Sequence, residues 1–312
     1  MLKKLAVQAL QADLGSVRLL LDEVRDVHDY IGEVQLGARE AALRSELENV
    51  QRMPSHKAAV GLFFAGGPVV GSRGIDADFA GKAVSLFQDL VAKQLASEEA
   101  GELGRRGPVP LRSAADLLIT NVVRGSVGIV LEEADMTDTF VDTELKTVVD
   151  HVLDTISAAA APAQEDFEAL LESMDPRFLR SLSELFGQME DRQAVVRFVE
   201  DERELDLDRA AILRARERAS AAQIDDDDIQ MSGRLFLLPT ARRFELNRGD
   251  GDAPIVGAIA RGFSRDNLSR FLAEDNHVGQ RWVVRLHVRR VTRPNRPVKE
   301  AYTLVGLVST QE

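Results

Sequence analysis

The chain has 312 residues, a formal net charge of -12 and no cysteine. The absence of cysteine excludes disulfides, thiolate metal sites and cysteine nucleophiles, and it fits a reducing compartment. The longest weakly polar run is too short to cross a membrane, so we expect a soluble cytoplasmic protein. A length of this size predicts about two domains, and the composition is that of an ordinary globular protein.

Residues 1–52 have the periodicity of α-helices. Apolar side chains recur at steps of three and four between Val17 and Val34, which places them on one stripe. A second helix is predicted from Gly37 to Arg52. We expect a helical hairpin whose apolar stripe packs against the next domain or a partner, and a homo-oligomer formed through residues 1–52 is one such arrangement.

Residues 55–160 predict a mixed α/β domain. Ala58 to Phe64 is a strand candidate, and two β-rich runs between Leu117 and Glu132 are separated by a turn at Arg124-Gly125. A helix with apolar residues on one face is predicted from Asp142 to Ser157. This region therefore combines strands with amphipathic helices.

Residues 164–222 predict a helical segment in which Asp175 caps a helix that begins at Pro176. Val195 to Val199 fits either a strand or an extended connection. The run Asp225-Asp226-Asp227-Asp228 follows. Four adjacent carboxylates repel one another, so residues 223–228 are predicted to be an exposed acidic linker.

The charge of the chain changes sign at this acidic run. Residues 1–232 carry 25 Lys and Arg against 43 Asp and Glu, whereas residues 233–312 carry 14 against 8. Hydrophobic alternation replaces helical periodicity at the same place, and it predicts five short strands in 229–312 with one helix at 264–273. The sequence therefore predicts a multi-domain α+β protein that ends in a small basic antiparallel β-barrel, SH3-like or OB-like in kind.

One predicted barrel strand concentrates the positive charge. Alternation from Arg281 places Arg281, Arg285, His287 and Arg289 on one face and the apolar residues on the other. Residues two apart on a strand stand roughly 6.6 to 6.8 Å apart, close to the spacing of nucleic-acid phosphates. The basic series continues at or beyond the strand end with Arg290, Arg293 and Arg296. We predict that these residues bind an anionic partner; arginines pairing with the acidic body of the same chain are the alternative.

A glycine-rich loop is the second candidate site. The stretch from Gly66 to Gly74 follows a predicted strand and precedes a helix, where a phosphate would bind. Gly71, Ser72, Arg73 and Gly74 would hold the anion. The loop lacks the Lys-Ser/Thr ending of a P-loop and the spacing of a dinucleotide fingerprint, and two tight turns explain its glycines equally well.

An acidic cluster around Glu144-Leu145-Lys146 is the third candidate. Nuclease-like sites pair an early carboxylate with a Glu-x-Lys string, but such a string belongs on a core strand. Here it falls at the start of a predicted helix, where acidic residues are favourable and solvated. The sequence indicates no metal site and names no cofactor.

These patterns predict a non-enzymatic binding or regulatory protein. Its basic C-terminal module would contact an anionic partner, nucleic acid first and an acidic protein surface second. Two alternatives stay open: a nucleotide-binding or phosphate-binding sensor or enzyme centred on Gly66–Gly74, and a structural subunit of a protein assembly.

Overall fold

The computed structural model describes residues 2–52, 55–101, 103–104, 106–123, 127–134, 139–201, 203–238, 240–249, 252–260, 262–263, 279–293 and 296–310. The chain divides into two compact units, Met1–Ser220 and Ala221–Glu312. The first unit mixes helices and strands, and the second is a β-barrel. The fold is therefore of the mixed α+β kind, as the sequence predicts.

The first unit contains the seven α-helices and the first seven strands that the structure describes. The helices are α1 (Lys3–Asp26), α2 (Tyr30–Arg52), α3 (Ala77–Ala100), α4 (Glu144–Ala160), α5 (Glu165–Leu171), α6 (Pro176–Asp191) and α7 (Arg209–Ala221). The strands are β1 (Ala59–Gly66), β2 (Val69–Val70), β3 (Gly74–Ile75), β4 (Leu117–Val123), β5 (Val127–Glu133), β6 (Ala194–Glu200) and β7 (Arg203–Leu207).

A five-stranded antiparallel sheet in the order β4-β5-β1-β6-β7 organises this unit. The central strand β1 pairs with β5 and with β6 over most of its length. Its alternate residues Val60, Leu62 and Phe64 are buried, and Phe64 meets Phe79 of α3 edge to face at a ring-centroid distance of 5.3 Å. The core therefore lies between one face of the sheet and the amphipathic helices.

The predicted helical hairpin forms from α1 and α2, and its burial is uneven. Leu14, Leu21 and Leu43 are buried, but Val27 and Ile31 near the turn are each 74% exposed. The apolar stripe predicted from the sequence is therefore buried over only part of its length and is exposed near the turn.

The second unit is a closed barrel of five strands. They are β8 (Gln223–Leu238), β9 (Arg243–Asn247), β10 (Ile255–Ile259), β11 (Arg281–Thr292) and β12 (Lys299–Thr310). The strand order around the barrel is β10-β12-β11-β8-β9. The β10–β12 pair is parallel and the other pairs are antiparallel. Fully buried side chains from β8, β9, β11 and β12 fill the interior, among them Leu235, Phe244, Leu286 and Leu304.

The linker predicted at 223–228 is wrong, because these residues form the first part of β8 and pair with β11. Four aspartates disfavour a strand on their own. Here they lie opposite a strand that carries arginines and a histidine, and opposite charges across a strand pair stabilise it. The barrel unit as a whole, residues 221–312, therefore carries 14 Lys and Arg against 12 Asp and Glu, so its net charge is close to neutral.

The helical segment predicted at 164–222 also contains two strands, β6 and β7. Because β6 pairs with the central strand β1, this segment belongs to the same sheet as the region predicted as a separate α/β domain. The helix predicted from Asp142 to Ser157 is α4, which begins at Glu144 and extends to Ala160. The predicted helix at 264–273 lies outside the described residues.

Candidate anion-binding face of the barrel

Strand β11 places its basic residues on the outside of the barrel. Val284, Leu286 and Val288 are fully buried in the barrel core, and the alternating side chains of Arg281 and Arg285 are exposed. This division follows from the two-residue period of a strand. The outer face thus carries the arginines that the sequence singles out, but the structure divides them into two groups.

The first group is neutralised by the aspartates of β8. Arg289 makes a two-pronged ion pair with Asp226, with Nε to Oδ1 at 2.9 Å and the second guanidinium nitrogen to Oδ2 at 3.2 Å. The side chains of this pair are only 11% and 13% exposed. His287 contacts Asp228, with Nδ1 to Oδ1 at 3.0 Å. These two basic residues therefore already have carboxylate partners within the barrel.

Arg290 also has partners. Its Nε donates to Glu300 at 2.8 Å, and a terminal nitrogen lies 3.3 Å from Asp227. The hydrogen bond and charge of Glu300 raise the pKa of Arg290, and the hydroxyl of Tyr302 together with Arg290 lowers the pKa of Glu300. Arg290 is thus part of a local charge network. Arg293 and Arg296 lie after β11, in the connection before β12.

The second group remains exposed. Arg281 lies directly opposite Arg234 of β8, and Arg285 lies opposite Gln230. All three arginines are exposed, and among the described residues no carboxylate pairs with any of them. Arg281 makes one long contact to a backbone carbonyl, that of Arg248, at 3.5 Å. We call Arg234, Arg281 and Arg285 the arginine cluster.

The geometry of the arginine cluster favours an anion. Like charges directly opposite each other on neighbouring strands destabilise the pair, so a bound anion between Arg234 and Arg281 would relieve that repulsion. Arg285 lies about 13 Å further along the strand, four residues at roughly 3.3 Å each. The cluster can therefore contact more than one phosphate of a linear polyanion.

An aromatic ring and a fourth arginine extend the same face. Phe236 is half-buried and lies two residues from Arg234 on β8, and Arg243 of β9 is exposed opposite Leu238. Leu238 is 57% exposed. The sequence alone did not single out Arg234 and Phe236, although the alternation of β8 places both on one face. The strand register that brings them beside β11 is not visible in the sequence.

The glycine-rich loop forms a small hairpin of β2 and β3 before α3. Gly66 and Gly67 are needed because the chain passes very close to the β6 turn: a Cβ there would lie 2.4 Å from the carbonyl oxygen of Gln193 and 2.2 Å from that of Arg192. Gly71 has a φ of +52° in the turn. Close packing and turn geometry thus account for these glycines.

The N-terminus of α3 already holds a negative group. The carboxylate of Asp76 accepts a hydrogen bond from Phe79 N at 2.8 Å and forms an ion pair with Arg192 at 2.8 Å. Both contacts lower the pKa of Asp76. Ser72 and Arg73 are exposed in the preceding turn. Because Asp76 occupies the position that a phosphate would take, the described contacts do not favour the predicted phosphate site.

Ser72 and His151 of α4 are a serine and a histidine that could form a nucleophilic site if they lay together, but they do not share a site. His151 Nδ1 lies 2.8 Å from Glu98, which stands 22 residues beyond Asp76 on the same helix. At 1.5 Å per residue that separation is about 33 Å. The hydroxyl and the imidazole therefore lie near opposite ends of α3.

The Glu-x-Lys string lies at a buried ion cluster. The prediction of a solvated helix start holds for Glu144, which is exposed, but it is wrong for Lys146, which is only 7% exposed. Its Nζ lies 3.3 Å from Glu200 and contacts Asp201. Burial, with Asp150 as a hydrogen-bonding neighbour, raises the pKa of Glu200 to about 8. This cluster joins α4 to the end of β6, and neither cavity described below opens onto it.

Two shallow cavities of the first unit lie elsewhere. One, of about 270 Å³, lies beside the start of α7 and includes Arg209 and Gln193; the other, of about 350 Å³, includes Phe63 and Arg197 on the sheet. Among the described residues, no three His, Asp or Glu side chains are grouped as a metal site would require. No helix in the described part of the chain is long and apolar enough to cross a membrane.

Comparisons with known proteins give no relative: no family model, no curated protein and no solved structure matches the chain.

Proposed function

We propose that this protein is a binding or regulatory protein whose C-terminal barrel binds single-stranded nucleic acid through its outer face. The barrel is, in this proposal, of the OB kind rather than the SH3-like kind. The support is its strand order. Numbered from β8, the strands run 1-2-3-5-4 and close back to 1, with a parallel pair between the third and the fifth. That order is typical of OB barrels, which commonly bind oligonucleotides.

The observation that carries the proposal is the arginine cluster. Three exposed arginines lie on adjacent strands and have no carboxylate partner among the described residues. The nearby aspartates are instead used by Arg289 and His287. A face that neutralises part of its charge and leaves three guanidinium groups exposed suits a phosphate backbone, since guanidinium groups bind phosphate in two-pronged fashion.

Because an aromatic ring, Phe236, lies on this face, we expect the barrel to bind single-stranded nucleic acid more tightly than double-stranded nucleic acid. Proteins that bind single strands without sequence preference combine a basic groove with aromatic rings on which bases stack. Phe236 lies beside Arg234 on the outer face. Three phosphate contacts predict that the logarithm of the binding constant falls with the logarithm of salt concentration with a slope of about -2.

The test is a titration of the full chain with single-stranded DNA and RNA at several salt concentrations. The variant Arg234→Ala, Arg281→Ala, Arg285→Ala should bind at least ~tenfold more weakly and with a shallower salt slope. The matched control is Arg39→Ala, Arg44→Ala, Arg52→Ala, which removes three exposed arginines from α2 and gives the same change in net charge. Equal losses in the two variants, or binding that ignores salt, would refute the proposal.

The other predicted functions are weaker. Binding of the arginine cluster to an acidic protein surface stays a prediction. It is the next hypothesis to test if the full chain binds no oligonucleotide. The phosphate loop at Gly66–Gly74 also stays a prediction, and Asp76 at the helix start speaks against it. A structural subunit joined through residues 1–52 is favoured by one observation, the exposure of Val27 and Ile31 at the end of the hairpin.

A further inference from the structure

The two edges of the five-stranded sheet in the first unit differ in how they meet solvent. One edge is β7, a five-residue strand with the sequence RELDL. Its Glu204 forms an ion pair with Lys4 at 2.9 Å, and its Arg203 forms one with Asp154 at 2.8 Å. Short length and charged side chains are the usual protection of an edge strand against pairing with another chain.

The opposite edge, β4, has none of that protection. Its sequence is LLITNVV, with seven residues and no charged side chain or proline. Ile119 is 58% exposed and Val122 is 59% exposed, although both lie on the face of the sheet that the helices cover elsewhere. Leu118, on the other face, is 53% exposed. Such an edge offers unpaired backbone groups together with apolar side chains.

The backbone of β4 is paired on one side. Its ladder partner is β5, with an extra residue at Thr120. Leu117 N donates to the side chain of Gln88. Among the described residues, no other backbone group bonds to Leu118–Val123 outside that ladder. The free side of the strand is therefore shaped for one kind of occupant, an extended strand that bears apolar side chains on both faces.

We propose that the occupant is β4 of a second copy of this chain, paired antiparallel to form a continuous ten-stranded sheet. The argument is self-complementarity. If Ile119 lies opposite the partner's Val122, then Val122 lies opposite the partner's Ile119, and Leu118 lies opposite the partner's Val123. Leu118, Ile119, Val122 and Val123 then each meet an apolar residue of the same face, as a two-fold interface requires.

This register places the two-fold axis perpendicular to the sheet and keeps both helical layers on the same side. A pairing moved by one residue would put helix-side residues against the other face, because side chains alternate along a strand. A seven-residue strand gives an interface at the small end of the range for specific complexes. We therefore expect a dimer that dissociates in the micromolar range.

The test is the mass of the full chain by light scattering and sedimentation from low to high micromolar concentration. Wild type should shift from monomer to dimer. The variant Ile119→Lys, Val122→Lys places lysine opposite lysine twice in the proposed register, and it should weaken the dimer at least ~tenfold. Both positions are more than half exposed, so the fold of the monomer should persist.

Two variants make the test specific. Ile119→Lys, Val122→Glu changes the same positions but places lysine opposite the partner's glutamate, so it should restore dimerisation relative to the double-lysine variant. Ile31→Lys removes an even more exposed apolar residue at the end of the helical hairpin and should leave the dimer intact. As a measurement without substitutions, amide exchange of Leu118–Val123 should slow as wild-type concentration rises.

Three results would overturn the inference. A wild-type chain that stays monomeric at the highest concentration removes the dimer. A dimer that survives Ile119→Lys, Val122→Lys, with unchanged amide exchange at β4, places the interface elsewhere. Dissociation by Ile31→Lys alone assigns it to the helical hairpin. None of these outcomes bears on oligonucleotide binding by the arginine cluster, so the two proposals fail separately.

Discussion

The two units each contain a charge network built around a basic residue and nearby carboxylates, and the networks differ in burial. In the first unit, the side chains of Lys146 and Glu200 are 8% and 4% exposed. In the barrel, Arg289 and Asp226 are 11% and 13% exposed, and the neighbouring Asp228 is 65% exposed. The Lys146–Glu200 pair is almost fully buried, whereas the barrel network extends along the strand to a side chain that is exposed to solvent.

This difference decides what each network does. Removing one partner from a buried ion pair leaves an uncompensated charge and costs several kcal/mol. Removing one partner at a partly exposed position leaves a charge that water and ligands can reach, which costs less and creates a binding group. The network at Lys146 thus acts on folding, and the network at Asp226 sets how much positive charge the barrel offers.

The largest expected effect comes from Lys146→Met. The substitution keeps the length of the side chain but leaves Glu200 and Asp201 without their cation, and we expect a loss of about 3 kcal/mol in the free energy of unfolding at about pH 9, where Glu200 is largely ionised. The loss should shrink toward about pH 6, because Glu200 then carries its proton and needs no cation. Urea unfolding measures both values. Lys82→Met on the exposed side of α3 is the control and should change the free energy of unfolding by less than about 0.5 kcal/mol. An equal loss of stability in both variants would contradict the role of Lys146 in folding.

The second prediction concerns pH. Folded Glu200 keeps its proton up to about pH 8, while its ordinary pKa is 4.5. Between these values the folded state binds more protons than the unfolded state, so the free energy of unfolding falls as pH rises, by at most about 1.4 kcal/mol per pH unit. Glu200→Gln should flatten that slope. The check is unfolding at a series of pH values, and an unchanged slope in the variant would disprove the assignment.

The barrel was the part of the fold that the sequence predicted best. Apart from the Asp225–Asp228 part of β8, its strands show two-residue alternation, and this local pattern can be recognised without knowing the strand partners. The run Asp225–Asp228 was misread because its strand partner lies about 60 residues away. Locally the four aspartates favour a solvated segment, and only the register with His287 and Arg289 makes them a strand.

Lys146 was misread for the same reason. The spacing of α4 correctly places Leu145 in the core, but Glu200 and Asp201 reach Lys146 from a strand more than 50 residues later. The sequence identified Arg281 and Arg285 as candidate binding residues, and it could not separate them from His287 and Arg289. That separation depends on cross-strand pairing, which two-residue alternation alone does not determine.

The third prediction uses the barrel network itself. Asp226→Asn keeps the shape of the side chain and removes the carboxylate from Arg289, and we expect a loss of about 1 to 2 kcal/mol in stability. The substitution removes a negative charge beside Arg289 and makes the outer face more basic, so oligonucleotide binding should become tighter and its salt slope steeper by about 0.7. Thermal unfolding and the salt titration measure the two effects. Asp228→Asn, at an exposed position, should cost less than about 0.5 kcal/mol.

The smallest effect on stability is expected at Arg285. Arg289→Ala removes a partly buried guanidinium and its two-pronged ion pair with Asp226, whereas Arg285→Ala removes an exposed side chain with no carboxylate partner among the described residues. Arg285→Ala should therefore change the free energy of unfolding by less than about 0.5 kcal/mol while it weakens oligonucleotide binding several-fold. Arg289→Ala should instead cause the larger loss in stability and the smaller loss in oligonucleotide binding. Thermal unfolding and titration of both variants separate the two roles, and a larger stability loss at Arg285 than at Arg289 would mean that the exposed arginine holds the barrel together rather than serving a ligand.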